Sequence, residues 1–557
     1  MDKRFFLALL LTGIVLMVTP LIFPTQRPAV VSTTATVTSV PGATGVPTYQ
    51  GAEPTARSQA DQVAPAPRGQ SISAVPARAI TDTVRLETSD ALYEFSTIGA
   101  TPIAIAIKDH KALSANSRDS IAILRDGDEP LLRFDIVTSQ DTIRLDRIQF
   151  NAAAAGVGNK QGLRFTSMDA GLPTTIEYHT TATPHLTRMR VSIGDLSGRA
   201  FLLLGLPQGF TSQEADTLDD IRHLSYSAKP VERSAKGVSF ASLDPGEREL
   251  VVGGLSWAVA KSKYFVVGAL SVSDSLPFAE MQVIGGRRDS KLATHANGIV
   301  VIPLIDGQAE FDLYAGPQSW ERMRAFGREF ETANPYGGFM QPVVQPFATI
   351  VMRMMLWLKR VLQLDYGWVL VIFGLAIRIV LWPLNQSAMR ASIRLQRIQP
   401  ELQAVQAQHK NDRTKQQQEM MRVYQEHGMS PFSALSGCLP ALIPMPVFFA
   451  LFFVFQNTIE FRGVPFMWLA DISLRDPYYV LPIVTGASMF VLSWIGMRNM
   501  PKNPQATMML YLMPGMFTVF LLSTASGLSV YYLVQQIAAI PQQWMIANER
   551  SKIVKTG

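Results

Sequence analysis

At 557 residues, 48% of them hydrophobic, the chain is too apolar for an ordinary soluble protein, and its net charge of +6 informs only through where Lys and Arg fall. Mean hydropathy is +0.15, with the long charge-free runs confined to residues 5–23 and beyond about 345, so the apolar excess belongs to membrane segments. One cysteine, Cys438, excludes an internal disulfide framework.

The chain opens on "MDKRFFLALLLTGIVLMVTPLIF". Its apolar run exceeds the ~7–15 residues of a signal-peptide core, and no A-x-A cleavage site closes it. Residues 1–23 are therefore predicted to be an uncleaved transmembrane anchor, with Lys3 and Arg4 on the cytoplasmic side. Residues 24–80 are rich in Pro, Ala, Thr and Ser, with Tyr49 the only aromatic, and read as a flexible periplasmic linker.

From 81 to 333 the texture changes to short alternating runs such as "TVRLETSDALYEFST" and "TRMRVSIGDL", separated by turn residues. Period-two alternation predicts antiparallel strands packed as a β-sandwich, closed by a short helix in "PQSWERMRAFGREFE". Five of the seven histidines fall here, His110, His179, His185, His223 and His295. They show no metal-ligand spacing, and no nucleophile elbow or phosphate loop accompanies them, so satisfied or surface histidines are expected.

Residues 345–364 put Phe347, Ile350, Val351, Met354, Leu358 and Val361 on one helical face, with Arg353 and Arg360 on another. That interrupted polarity predicts an amphipathic helix lying in the membrane interface. The region 366–548 reads as five further spans at 367–384, 439–456, 478–497, 508–523 and 527–547. Six spans in all place 385–437, the "RNMPKNP" loop and the 549–557 tail in the cytoplasm, and these carry the basic residues. A seventh span at 346–362 would reverse that positive-inside pattern. Within 385–430, Ile393, Leu395, Ile398, Leu402 and Val405 are answered by Met420, Met421 and Tyr424 across "HKNDRT", which predicts a cytoplasmic helical hairpin.

The second span contains Arg378, a charge that costs about 2.5–3.5 kcal/mol near a bilayer centre on insertion scales. At ~1.5 Å per residue it lies about 16 Å from the start of the span. Gly374 sits one turn before it and Trp382 one turn after, and Gly374 is expected to leave room for water or a ligand beside the guanidinium. The spans contain no Asp or Glu to pair with it, whereas Gln535 and Gln536 fall at comparable depth, and Ser488, Ser493 and Thr518 add hydroxyls. Pro440, Pro444 and Pro446 interrupt the first half of the third span, which is tolerable at membrane depth only beside protein or a cavity. Spacing alone leads as far as a wet intramembrane cavity.

"YGWVLVIFGLAIRIVLWPLNQSAMRASIRLQRIQPELQ", "QQQEMMRVYQEHGMSPFSALSGCLPALIPMPVFFALFFVF", "DPYYVLPIVTGASMF" and "SGLSVYYLVQQ" occur in this order after the β-rich region. In this the chain resembles the YidC membrane-protein insertases of Gram-negative bacteria, kin to the Oxa and Alb proteins, over nearly its whole length. "SKYFVVGAL" and "LYAGP" are similar to patterns of the family's first domain. The resemblance implies a multi-pass inner-membrane protein: an α-helical six-span membrane core with a cytoplasmic helical hairpin, and a periplasmic antiparallel β-supersandwich domain. It implies an insertase and chaperone, not an enzyme, with a hydrophilic groove open to the cytoplasm and the lipid, acting alone or with the Sec translocon. The groove arginine falls on Arg378, the aromatic position below it on Trp382, the last-span tyrosine on Tyr532, and third-span substrate contacts on Met445, Pro446 and Phe448.

The implied partners are nascent membrane proteins with acidic extracytoplasmic tails, the Sec translocon, the ribosome side through 385–430, and the lipid bilayer. No cofactor, metal or sequence-specific nucleic acid is implied, and the chain has no G-x-x-x-x-G-K-[ST] match. Two departures stand out: "SPFSALSGCLP" is longer than the family's usual join, and Pro444 replaces a residue usually polar. A solute transporter binding an anion at Arg378 would predict internal repeats, which are not seen, and a membrane-anchored periplasmic carbohydrate enzyme would place the activity in 82–330.

Overall fold

A computed structural model describes residues 83–556, apart from 115–119, 140, 157–160, 170, 195, 197, 290–291, 335–340, 384–385, 387–397, 399–400, 403, 410–411, 428–444 and 498–503. The expected anchor and linker, Cys438, Pro440 and Pro444 lie outside the described residues.

Alternating sequence becomes antiparallel sheet throughout the first region. In Leu186–Ile193, Thr187, Met189, Val191 and Ile193 turn inward, while Arg188 and Arg190 turn outward. There they face Asp312 and Glu310 directly across the ladder, with Arg188 reaching Glu310 at 3.0 Å and Arg190 at 3.3 Å. Opposite charges at directly paired positions favour this register over a slip. Thr83–Glu87, Ala91–Ser96, Thr101–Lys111 and Ile121–Leu124 form a four-stranded sheet beside a fourteen-stranded one centred on Arg248–Lys261. Tyr93, Phe95 and Ile105 of the first sheet share a core with Phe134, Tyr178 and Phe311 of the second, so the two sheets bury one another. Each of the five histidines has a partner: Asp109 for His110, Glu177 for His179, Asp90 and Arg322 for His185, the Asp219 carbonyl for His223, and Thr294 for His295.

Two short helices belong to this domain, α1 (Thr217–Arg222) and α2 (Trp320–Ala325). The rest is helical: α3 (Gln341–Leu362), α4 (Tyr366–Val380), α5 (Arg413–Glu426), α6 (Met445–Asn457), α7 (Val480–Met497), α8 (Pro504–Leu522) and α9 (Ser526–Thr556). Among the described residues α7 is long and apolar enough to cross a membrane, and α3 with α4 passes the same test as a pair bent by 117°. That bend keeps α3 from continuing the span.

The apolar face expected of α3 divides in two by burial. Val351 and Leu358 are buried, together with Val344, Ala348, Met352 and Met355, but Phe347, Ile350 and Val361 stay exposed with Trp357. The helix has two apolar stripes, one packed on the helical region and one left to its surroundings. α9 continues as helix to Thr556, beyond the end of the expected last span at 547. Between 398 and 426, Ile398, Leu402 and Val405 pack on Met420, Val423 and Tyr424, and Asp412 caps α5 through the Thr414 and Lys415 amides at 3.1 Å.

The segment between α6 and α7 joins the two regions. Ile459 enters the β-domain core. Arg462 Nε donates to both oxygens of Glu214, at 3.0 and 2.8 Å, with both side chains under a tenth exposed. The guanidinium also lies 5.8 Å from the Tyr264 ring and 5.4 Å from Phe265. Glu460 accepts from Ser319 Oγ at 3.1 Å and the Trp320 amide at 3.2 Å, and burial raises its carboxyl above the ordinary range. Lys261 Nζ donates to Asn334 Oδ1 at 2.7 Å, and Asn334 Nδ2 to the Asn457 carbonyl at 2.9 Å.

Two outcomes are expected. Arg462→Ala strands a buried carboxylate and costs about 3–5 kcal/mol, whereas replacing the pair with Arg462→Met and Glu214→Leu costs far less; thermal unfolding of the purified protein measures both. Burial lowers Lys261 from 10.5 to about 7. Below that value the folded protein holds the charge at full desolvation cost; between about 7 and 10.5 the unfolded chain binds more protons, so stability rises with pH. The slope approaches ~1.4 kcal/mol per pH unit, and Lys261→Met flattens it when unfolding is compared at about pH 6 and about pH 9.

Candidate functional site: a glutamine-held arginine between two helices

Arg378 lies in the last turn of α4, where a cation is favoured by the carbonyl end of the helix dipole. The helix stops at Val380, with Leu381 in a turn before a short helical continuation at 382–383, so the backbone breaks within the expected span 367–384. Pro383 accounts for this, because it lacks an amide proton and restricts the residue before it. Ile379 and Val380, beside Arg378 in sequence, are among the most exposed apolar side chains of the chain. One side of α4 is thus free while the other carries the arginine against α9.

The role expected of Gly374 is also corrected. A Cβ built there would lie 3.1 Å from Val534 Cγ1 and 3.6 Å from Tyr531 Cδ2. The missing side chain is taken up by close approach of α4 and α9, not by space for water. Gln535 uses that approach, its Nε2 donating to the Gly374 carbonyl at 2.7 Å.

One turn deeper along the same pair of helices, Arg378 Nη2 donates to Gln542 Oε1 at 2.7 Å. Gln542, almost fully buried, turns its amide to Gln386 Oε1 at 3.2 Å and the Trp382 carbonyl at 3.5 Å. Arg378 Nε is buried without a hydrogen-bond partner, and among the described residues no carboxylate pairs with this side chain. The site thus combines a held guanidinium, an amide relay and one uncommitted donor. It is suited to bind a carboxylate or another oxyanion.

Gln542 was not among the residues singled out from sequence, although a signal existed. It follows Gln535 by seven residues, two turns along one face of α9. The hydroxyls expected to wet the site do not gather there: Ser488 and Thr518 return to their own helices, to the Val484 and Pro514 carbonyls at 2.7 and 2.8 Å. Gln536 is half-buried with no contact to Arg378.

Phe448 and Tyr532 are brought together, with ring centroids 5.5 Å apart. Phe517 lies 6.1 Å and Phe520 5.8 Å from Phe448, so the two expected contact residues form part of an aromatic cluster. Trp382 is half-buried beside the relay. Met445 and Pro446 open α6, a position that tolerates proline; their side chains lie outside the described residues.

A family model described as "60Kd inner membrane protein" matches residues 357–553, and one described as "YidC periplasmic domain" matches 83–350. The membrane protein insertase YidC of Anaeromyxobacter sp. (strain Fw109-5) is 34% identical over 323 residues, 57% of this chain and 56% of that protein. That of Anaeromyxobacter dehalogenans (strain 2CP-1 / ATCC BAA-258) is 32% identical over 336 residues, 60% of this chain and 58% of the relative. The chain thus spans somewhat more than half the length of the curated relatives it matches. Among solved structures, an active YidC insertase with its first transmembrane domain resolved covers 83% of this chain and 94% of its own, at a TM-score of 0.34 and 16% identity.

The close approach at Gly374 is open to test. Gly374→Val is expected to force α4 and α9 apart and to destabilise by about 1–3 kcal/mol, while Gly374→Ala, with its Cβ at 3.1 Å from a movable methyl, costs less. Thermal unfolding of the two variants against wild type gives the ranking.

Proposed function

The chain belongs to the YidC family, and from that premise we propose that it is a membrane-protein insertase and chaperone of the bacterial inner membrane, with Arg378 as the charge that receives its substrates. One observation carries the reading. Arg378 is held by the neutral Gln542 and by no carboxylate among the described residues. A guanidinium kept this way is stabilised enough to persist between apolar helices, yet a carboxylate binds it more strongly than an amide does.

In this reading a substrate helix with a short acidic tail enters from the cytoplasmic side. Its carboxylate displaces Gln542 from Arg378, which lowers the cost of bringing the tail part-way into the membrane. Gln535 and Gln536 line the approach with Gly374 at the helix contact, and Trp382, Met445, Pro446, Phe448 and Tyr532 meet the apolar segment. That segment then leaves sideways into lipid, where its burial at ~25 cal/mol per Å² drives completion. The exposed Ile379 and Val380 flank on α4 suits a lateral exit.

The same proposal assigns six spans, with both termini and the 385–430 hairpin in the cytoplasm and the β domain in the periplasm. α4, α6, α7, α8 and α9 support five of those spans. The hairpin, with its own small core of Ile398, Leu402 and Val423, is proposed to meet the ribosome side, and the Sec translocon is a proposed partner for larger substrates.

Reconstituted insertion of radiolabelled substrates tests the mechanism. Arg378→Glu is expected to slow insertion of acidic-tailed substrates by at least tenfold and to spare neutral-tailed ones. Gln542→Glu gives the arginine a permanent carboxylate and should slow the same acidic-tailed class. Full insertion of every acidic-tailed substrate by Arg378→Glu would sink the mechanism.

A further inference from the structure

A cavity of about 510 Å³ separates the β domain from the helical region. Its floor is built from Gln456 at the end of α6, Leu474, Arg475 and Pro477 ahead of α7, and the Ser523–Ala525 turn between α8 and α9. These are the ends of four helices on one side of the helical region, the side on which the β domain sits. Its roof is α1 with its cap, including Asp216, Leu218 and Arg222, together with Lys263.

Two observations locate this cavity at the depth of lipid headgroups. Tyr478 and Tyr479 directly follow Pro477 and are exposed, as is Trp468 in the same connection, and exposed Tyr and Trp mark the membrane–water boundary. Leu218 on the roof is 53% exposed, an apolar side chain at the cavity edge.

The charges specify the ligand. Lys263 is already neutralised by Asp219 at 2.7 Å. Arg475 forms no ion pair or hydrogen bond with any described residue, and Arg222 makes none at contact distance, its charge reaching Asp219 only through space, although both line the cavity. Asp216 accepts only the Asp219 amide, at 3.1 Å, and keeps a carboxylate oxygen free. Two uncommitted guanidinium groups suit a phosphate diester, and one uncommitted carboxylate suits an ammonium group.

We propose that this cavity binds the phosphoethanolamine headgroup of an outer-leaflet phospholipid, with the phosphate held between Arg222 and Arg475 and the ammonium by Asp216. Leu218 rests on the glycerol and upper acyl region. The bound lipid fills the gap between α1 and the Ser523–Ala525 turn and seats the β domain on the membrane surface. The inference rests on the orientation given under Proposed function, with the β domain outside the cytoplasm.

The full chain is reconstituted in nanodiscs of equal phosphatidylethanolamine and phosphatidylglycerol, released into mild detergent and weighed by native mass spectrometry. Wild type is expected to retain one phosphatidylethanolamine, favoured about tenfold over phosphatidylglycerol. Arg222→Ala with Arg475→Ala loses it, while thermal unfolding in detergent and insertion of acidic-tailed substrates stay as in wild type. Equal retention of the two lipids overturns the ammonium assignment, and retention unchanged in the double variant overturns the site. Soluble glycerophosphoethanolamine that displaces the retained lipid at equal concentration overturns the lipid as its source. Ser523→Cys in a Cys438→Ser background, labelled by an impermeant maleimide, reports the orientation separately. Labelling only from the cytoplasmic side overturns the outer-leaflet placement and the topology together, whereas outside labelling without lipid retention overturns the headgroup alone.

Discussion

The helical region depends on how Arg378 is kept between apolar helices without a countercharge. A guanidinium stays protonated at any accessible pH, so its cost must be met by dipoles. Gln542 supplies one at 2.7 Å, and the end of α4 supplies a second through its carbonyls. Both require geometry to match. Gln542 is within reach because α4 and α9 approach closely at Gly374, and α4 ends just past Arg378, at Val380, ahead of Pro383. Gln535, bonded to the Gly374 carbonyl, fixes the same two helices one turn away. The glycine, the proline and the two glutamines are parts of one arrangement.

A second arginine shows the opposite solution. Arg462, its side chain 4% exposed, meets a full carboxylate, Glu214, through two hydrogen bonds and two aromatic rings. Glu214 is nevertheless raised above its ordinary range by burial, against the pull of the arginine. Such a pair contributes little net stability but is costly to split, which makes it a lock on register more than a source of affinity. With Glu460 held at α2 and Lys261 linked through Asn334 to the end of α6, the junction between β domain and helices is held by interactions that do not exchange readily. The rigid polar contacts lie at the junction and the exchangeable one lies between the helices.

The parts of this molecule legible in its sequence are those with local periodicity. Alternation in runs such as "TRMRVSI" specifies strands whose inward residues match the core, and the apolar runs after about residue 345 become α3, α4 and α6 to α9. Arg378 declares itself because a charge in an apolar run is conspicuous. What failed was inference from a single helix about its neighbours. A glycine beside an arginine reads equally as a cavity or as a close helix contact, and only Val534, far off in sequence, decides between them. Periodicity likewise finds the apolar face of α3 but not which part of it meets protein. Glu214 and Arg462 lie 248 residues apart, with no local pattern to connect them. Gln542 is the exception, since its seven-residue distance from Gln535 places the two on one face of α9.

Why the arginine is met by an amide and not an acid follows from magnitudes. A neutral hydrogen bond contributes about 0.5–1.5 kcal/mol net, and one involving a charged group about 1.5–3. An aspartate in place of Gln542 would fall at the strong end with both partners charged, and an incoming carboxylate would gain nothing by displacing it. With no partner at all the buried donors of Arg378 would bear the full desolvation penalty, and the helix pair would be harder to form. Gln542 lies between these limits: strong enough to hold the empty site, weak enough to yield to a carboxylate, and able to return when that carboxylate moves on. Its own amide stays anchored to Gln386 and the Trp382 carbonyl, so on displacement its oxygen loses one bond while its nitrogen keeps two. For a proposed insertase that must release every substrate it receives, reversible occupation of the arginine is the property that a stronger partner would remove.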